Sequence, residues 1–135
     1  MSFADERQAI ETRFALNFTA LPIRYEGQRF EMPSAGGFVA LKIRNGTGRQ
    51  ISTGSPPLHR YTGTIVVDVF VPEDTGTATA RIHADKIDQI FRRAQFSAGN
   101  SGTILCRTPS ISTVGVDSGW FQLSVNVPYQ RDSIF

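Results

Sequence analysis

Tyr61-Thr62-Gly63-Thr64-Ile65-Val66-Val67-Asp68-Val69-Phe70-Val71-Pro72 is the stretch from which the fold class is read. Ile65, Val67, Val69 and Val71 occupy one phase of a two-residue period, and Val66, Asp68 and Phe70 occupy the other. Successive side chains of an extended chain leave on opposite sides, so this is a strand with one wholly apolar face. Pro72 has no amide proton to give a ladder and stops the run. A matching pattern closes the chain within Trp120 to Tyr129, where Phe121, Leu123, Val125, Val127 and Tyr129 alternate with Gln122, Ser124 and Asn126. Phe38 to Arg44 alternates too, Val39, Leu41 and Ile43 on one side and Lys42 and Arg44 on the other. Strands apolar on one face and polar on the other suit an antiparallel sheet with one exposed side.

Two segments carry the helical period instead. After Pro72, Glu73-Asp74-Thr75 offers caps and first-turn acids, and Ala80, Ala84, Ile87, Phe91 and Ala94 follow at spacings of four and three. Ile90 widens that stripe, and Arg92 and Arg93 lie near its C-terminal end, where cations suit the helix dipole. The chain also opens on an amphipathic helix, with Ser2 as its cap and Phe3, Ile10 and Phe14 marking one face. Asp5, Glu6, Gln8, Glu11 and Arg13 fall mostly elsewhere, and the helix is expected to end before Leu21-Pro22.

The remaining segments are shorter. Ile23 to Tyr25 and a piece around Phe30 read as extended, with a turn at Glu26-Gly27 and a loop over Met32 to Gly37. Asn45-Gly46 has the composition of a tight hairpin turn. Thr47 to Leu58 reads as a glycine- and proline-rich excursion, extended over Arg49 to Thr53 and tipped by Gly54 to Pro57. Such an excursion is expected to be mobile in the free subunit and ordered against a partner. Thr103 to Arg107 and Ser110 to Val116 read as extended, and Asp117-Ser118-Gly119 as a turn. The order predicts an α+β fold: a largely antiparallel mixed sheet with two helices packed on one face. Residues 1–135 read as one domain, with a core of Phe14, Leu41, Ile65, Val67, Val69, Ile87, Phe91, Leu123 and Val125.

Composition narrows the function classes. Hydrophobic residues are 40% and charged residues 19%, the range of a folded globular chain. No stretch reaches the roughly 18–20 apolar residues of a membrane span, and the opening residues lack the pattern of a signal peptide, so folding in the cytosol is expected. Cys106 is the single cysteine, too few for an internal disulfide, and is expected to be a buried small hydrophobe. A formal net charge of +2 does not predict nucleic-acid binding. Of the 14 basic residues only Lys42 and Lys86 are lysines; arginine is the cation favoured at protein interfaces, and a GC-rich coding genome is the alternative source of such a bias.

Catalytic patterns do not emerge. His59 lies in the excursion and His83 beside the stripe of the second helix, and neither joins a cluster with zinc spacing. No serine has the surroundings of a nucleophile elbow, and Asp85 and Asp88 read as solvated helix carboxylates. Gly46-Thr47-Gly48 and Gly115 to Gly119 are not phosphate loops. Arg24-Tyr25 and Arg60-Tyr61 lack the signature of an RNA-recognition surface. No catalytic, cofactor-binding or metal residues are expected, and no cofactor.

Several segments together resemble the family of small phage tail-terminator proteins. They are Ala4 to Phe14, Leu21-Pro22-Ile23-Arg24-Tyr25-Glu26, Arg60-Tyr61-Thr62-Gly63 with the valine-rich run to Pro72, Ala84-Asp85-Lys86-Ile87, Gly119-Trp120-Phe121-Gln122 and Val125 to Tyr129. Asn17-Phe18 departs from the pattern, since a tryptophan is more usual there. The resemblance implies a non-enzymatic virion protein that forms a ring with itself, typically a hexamer. That ring would cap the head-proximal end of the tail tube, stop its polymerisation and meet the head-completion or connector protein. It implies synthesis in the bacterial cytoplasm, no membrane partner and no specific nucleic-acid binding, though DNA would pass through the lumen. A head–tail connector or neck-ring subunit is the alternative reading, and a small enzyme of unknown type a more distant one. Arg44, Arg49, Gln50, Arg60 and Tyr61, which flank the excursion, are the candidate assembly residues.

Overall fold

The computed structural model describes residues 2–29, 36–75, 77–99 and 102–134. Helix α1 (Ser2–Asn17) leads into strands β1 (Ile23–Tyr25), β2 (Phe38–Gln50) and β3 (His59–Pro72). A short 3-10 turn (Glu73–Thr75) and helix α2 (Thr77–Phe91) follow. Strands β4 (Gln95–Ser97), β5 (Thr103–Cys106), β6 (Ser110–Asp117) and β7 (Trp120–Ser133) complete the fold. It is α+β, with both helices against one curled sheet of order β1-β2-β3-β7-β5-β4, and β6 beside the other half of β7. Among the described residues only β1 and β2 run parallel, and every other pair is antiparallel.

The apolar phase of each strand builds the core in rows. Val39, Val69 and Leu123 lie side by side, then Leu41, Val67 and Val125, then Ile43, Ile65 and Val127. All nine residues of the expected core are buried. α2 lays Ala80, Ala84, Ile87, Ile90 and Phe91 on this surface, its two alanines leaving room for close approach. Phe14 of α1 stacks between Phe18, with centroids 5.0 Å apart, and Phe91, at 5.9 Å. Arg13 joins the helices, its Nε donating to the carbonyl of Ile90 at 2.9 Å while its guanidinium lies 5.1 Å from the Phe96 ring centre. Cys106 is buried, and burial pushes its thiol up to about 12, far from the reactive thiolate range.

Four local expectations change. Asn45-Gly46 is not a turn: β2 runs through it to Gln50, with a slip of register between Asn45 and Gly48. A Cβ on Gly48 would stand 2.9 Å from the Tyr61 ring, so this bulge needs a residue without a side chain. The excursion is therefore strand as far as Gln50, and the connection proper is residues 51–58, closed by Ile51 N–H to the Leu58 carbonyl at 2.7 Å and Leu58 N–H to Ser52 Oγ at 2.8 Å. The buried stripe of α1 is Glu6, Ile10 and Phe14, continued by Phe18 just past the helix end, whereas Phe3 is 56% exposed. The helix-free face of the sheet is not wholly wet either. Asp68 and Ser124 are buried there, Ser124 donating to the Asp68 carboxylate with Lys42 Nζ 3.9 Å away, and Phe38 stacks on Phe70 at 4.6 Å. Phe30 and most of the Met32–Gly37 loop lie outside the described residues.

Arg131 explains why Glu6 is inside. It continues the inward phase of β7 beyond Tyr129 and has 0% exposure, so its charge must be met within the protein. Its Nε donates to Glu6 Oε1 at 3.0 Å, and the Tyr129 hydroxyl donates to Glu6 Oε2 at 3.0 Å. Burial first, then the Glu6 charge, raises the Tyr129 pKa, which keeps that hydroxyl a donor. The guanidinium lies 4.5 Å from the Tyr61 ring centre and 5.9 Å from that of Phe3. Gly63 makes space for the cluster, since a Cβ there would meet the Tyr129 hydroxyl at 2.6 Å.

Two stability predictions follow from this packing. Phe91→Ala should cost about 3–5 kcal/mol in urea denaturation, because Phe91 is fully buried between α1 and the sheet; a variant as stable as the parent would contradict its place in the core. Glu6→Leu should cost about 3–5 kcal/mol by leaving Arg131 buried without its carboxylate, and adding Arg131→Met should recover most of that loss. A double variant no more stable than Glu6→Leu alone would show that packing, not charge, makes the pair matter.

Candidate assembly surface

The far halves of β2 and β3 form an outer corner of the sheet, the arm, in which β2 is the border strand. They pair from Asn45↔Gly63 across the bulge to Gln50↔His59. β7 supports β3 along its whole length, to His59↔Ser133, but β1 covers β2 only at Val39 to Leu41. The outer edge of β2 beyond Leu41 is therefore unpaired among the described residues.

The structure brings the five candidate residues onto this arm and sorts them between its faces. Arg44 stands opposite Thr64, and Arg49 opposite Arg60. These three arginines share the phase of Lys42 and Asp68 and so the helix-free face. Two cations directly across a strand pair repel. Asp132, next across the sheet, relieves one of them: Arg60 Nε and NH2 donate to its two carboxylate oxygens at 2.8 and 3.0 Å. The pKa shifts agree, with the Asp132 carboxyl held below its usual range by the Arg60 hydrogen bond and Arg60 raised by the same bond. Arg44 and Arg49 are exposed and have no carboxylate partner among the described residues. Gln50 is held locally, Nε2 donating to the Ser52 carbonyl at 2.8 Å. Tyr61 is on the other face, beneath Arg131 and edge-on to Phe3 with centroids 5.4 Å apart. Arg60 and Tyr61 are thus engaged within the subunit, while Arg44 and Arg49 have no such engagement among the described residues.

The other polar groups are used structurally. His83 packs against the Phe18 ring, and burial, then Lys86, lowers its pKa. Asp88 holds Arg92 at 2.9 Å, which raises the pKa of that arginine. His59 stands opposite Gln50 at the arm's end. Among the described residues, no three of His, Cys, Asp or Glu are grouped to hold a metal, and no helix is long and apolar enough to cross a membrane.

The subunit is thus an α+β domain with a cationic strand at the border of its sheet. The family model described as phage tail terminator protein matches residues 7–129, and the chain belongs to that family. It is accordingly a structural protein of the phage tail and a virion component. One solved structure, 22% identical in sequence, superimposes with a TM-score of 0.76 over 97% of this chain and 96% of that one, a likeness of fold. No curated protein matches the sequence.

The Arg60–Asp132 pair carries a pH signature. Because the folded pKa of Asp132 is lowered, its contribution is complete above the ordinary value of 3.8 and is lost as pH falls through the folded value. Asp132→Asn should be less stable than the parent at neutral pH, by under about 1 kcal/mol for so exposed a pair. The gap should close as urea denaturation is repeated at pH values well below the carboxylate range; a gap independent of pH would assign the loss to something other than this charge.

Proposed function

We propose that the chain, acting as one domain and without catalysis, assembles with itself into a ring of six subunits at the head-proximal end of the tail tube. The ring ends tube polymerisation and offers the surface to which the head-completion or connector protein joins. DNA passes through its lumen without specific contacts, and the subunits are made in the bacterial cytoplasm before entering the virion. The observation that carries this reading is the arm itself. In this family member the border strand carries Arg44 and Arg49, exposed and with no carboxylate to meet them among the described residues. Exposed cations of this kind set partner choice and register when a complementary surface covers them.

Charge reversal separates the arginines. Arg44→Glu and Arg49→Glu should leave the folded subunit intact and yield overlong or unjoined tails when particles are assembled with the variant. Arg60→Glu should instead lower subunit stability, since it sets a second carboxylate against Asp132. Tails of normal length joined to heads in both Arg44 and Arg49 variants would remove the arm from the interface.

A further inference from the structure

Besides the arm and the short border strands β1 and β4, the sheet has a longer open edge. β6 pairs with β7 from Ser110↔Asn126 to Asp117↔Trp120 and with no other strand among the described residues. An open edge presents amide and carbonyl groups to any extended chain, and proteins usually blunt it with lysine, proline or other charges. From Ser110 to Val116 β6 has neither a charged residue nor a proline. Ile111, Val114 and Val116 are 44%, 59% and 58% exposed. A bulge between Thr113 and Gly115 divides this edge, but neither half pairs with a strand other than β7 among the described residues.

The arm and the β6 edge complement each other in three ways. The arm of β2 and the edge of β6 lie on opposite sides of one sheet, and at opposite ends of the long strands β3 and β7. Two different edges of one subunit make a heterologous contact, the kind that closes rings, and an offset along the strands is the stagger that closed β-structures require. On the helix side, Ile111 and Val116 share the phase of the core rows, and the arm has exposed Phe3 on that same side against Tyr61. Charge also matches: the arm from Arg44 to Arg60 contains no acid, whereas Val71 to Ala80, beside the β6–β7 turn, contains Glu73 and Asp74 and no base. The Glu73 amide donates to the Gly119 carbonyl of that turn at 2.9 Å, which fixes the acids beside the end of β6.

We infer that the outer edge of β2 in one subunit, residues 44–50, docks along β6 of the next copy, so that the sheet continues from subunit to subunit. This rests on the ring reading above and specifies which two surfaces meet. A two-fold pairing of β6 with β6 is the competing use of the same edge, and it ends at a dimer.

Cysteine pairing in a Cys106→Ala background tests the contact, on purified protein and on tails from particles assembled with each variant. Arg49→Cys combined in one chain with a cysteine at Ser110, Ser112 or Val114 should cross-link on mild oxidation into a ladder ending at the full ring. Either cysteine alone should give no cross-link. Dimers from the β6 cysteine alone, or an assembled ring with no cross-link from any of the three pairs, would overturn this contact while leaving the ring standing. Mass photometry of the parent reads the ring separately, and subunits monomeric in solution and absent as oligomers from tails would overturn both. Val114→Lys gives an independent check. The position is exposed, so the melting temperature should not move, and the concentration needed for assembly should rise roughly tenfold or more, as for a charge placed in an interface. Unchanged assembly by this variant would also overturn the contact.

Discussion

A guanidinium sealed from water has to be met by a carboxylate, and in this protein the requirement is satisfied across nearly the whole chain. Arg131 lies in the last strand and Glu6 in the first helix, 125 residues apart. The pair sets where α1 sits against the sheet, because Glu6, Ile10 and Phe14 form one stripe and the position of the first constrains the others. It also shapes the base of the arm. Tyr61 lies beneath the guanidinium, Tyr129 donates to the same carboxylate, and Gly63 leaves room for the Tyr129 hydroxyl. Replacing such a pair by apolar groups is often harmless to stability, so position and orientation are what it supplies here.

The elements legible in the sequence were those whose order is local and periodic. β3, β7 and α2 each show an uninterrupted pattern long enough to name the element and its buried face, and the core residues read from them are the ones the structure buries. Misreadings arose where a distant partner decides. Asn45-Gly46 carries the local chemistry of a turn, but the ring of Tyr61 and the side chain of Thr62 opposite make it a bulge in a continuing strand. Glu6 looked like a solvated helix charge because its partner is at the other end of the chain. One signal was available: the alternation of β7 does not stop at Tyr129, and its next inward position is an arginine. An inward cation requires a carboxylate, and an acid four residues before Ile10 on an amphipathic helix is a reasonable place to seek it.

The assembly residues divide in the same way. Their common location on the arm follows from flanking a turn-rich segment, which composition reveals. Which of them are available does not follow, because Arg60 is engaged by Asp132, 72 residues on, and Tyr61 by Arg131. Among the described residues Arg44 and Arg49 have no acid to meet, because register sets threonine and another arginine opposite them. An excess of arginine over lysine therefore has two sources in this protein. Planar guanidinium groups serve the buried and bidentate pairs within the subunit, and others are left outward on the arm.

The position of β7 in the sheet has a consequence for synthesis on the ribosome. It is the last of the described strands to be made, yet it lies between β3 and the strands that border it, and it contributes to every row of the core. A nascent chain exposes β2, β3 and both helices before their central neighbour exists, so their apolar faces wait uncovered, and the carboxylate of Glu6 waits for residue 131. The subunit is in this sense indivisible during translation: a chain interrupted before β7 has both helices and half a sheet, but no surface on which to close them. Prematurely ended chains would then be expected to go to proteases and chaperones as unfolded protein, since they lack the strand that supports the arm along its whole length.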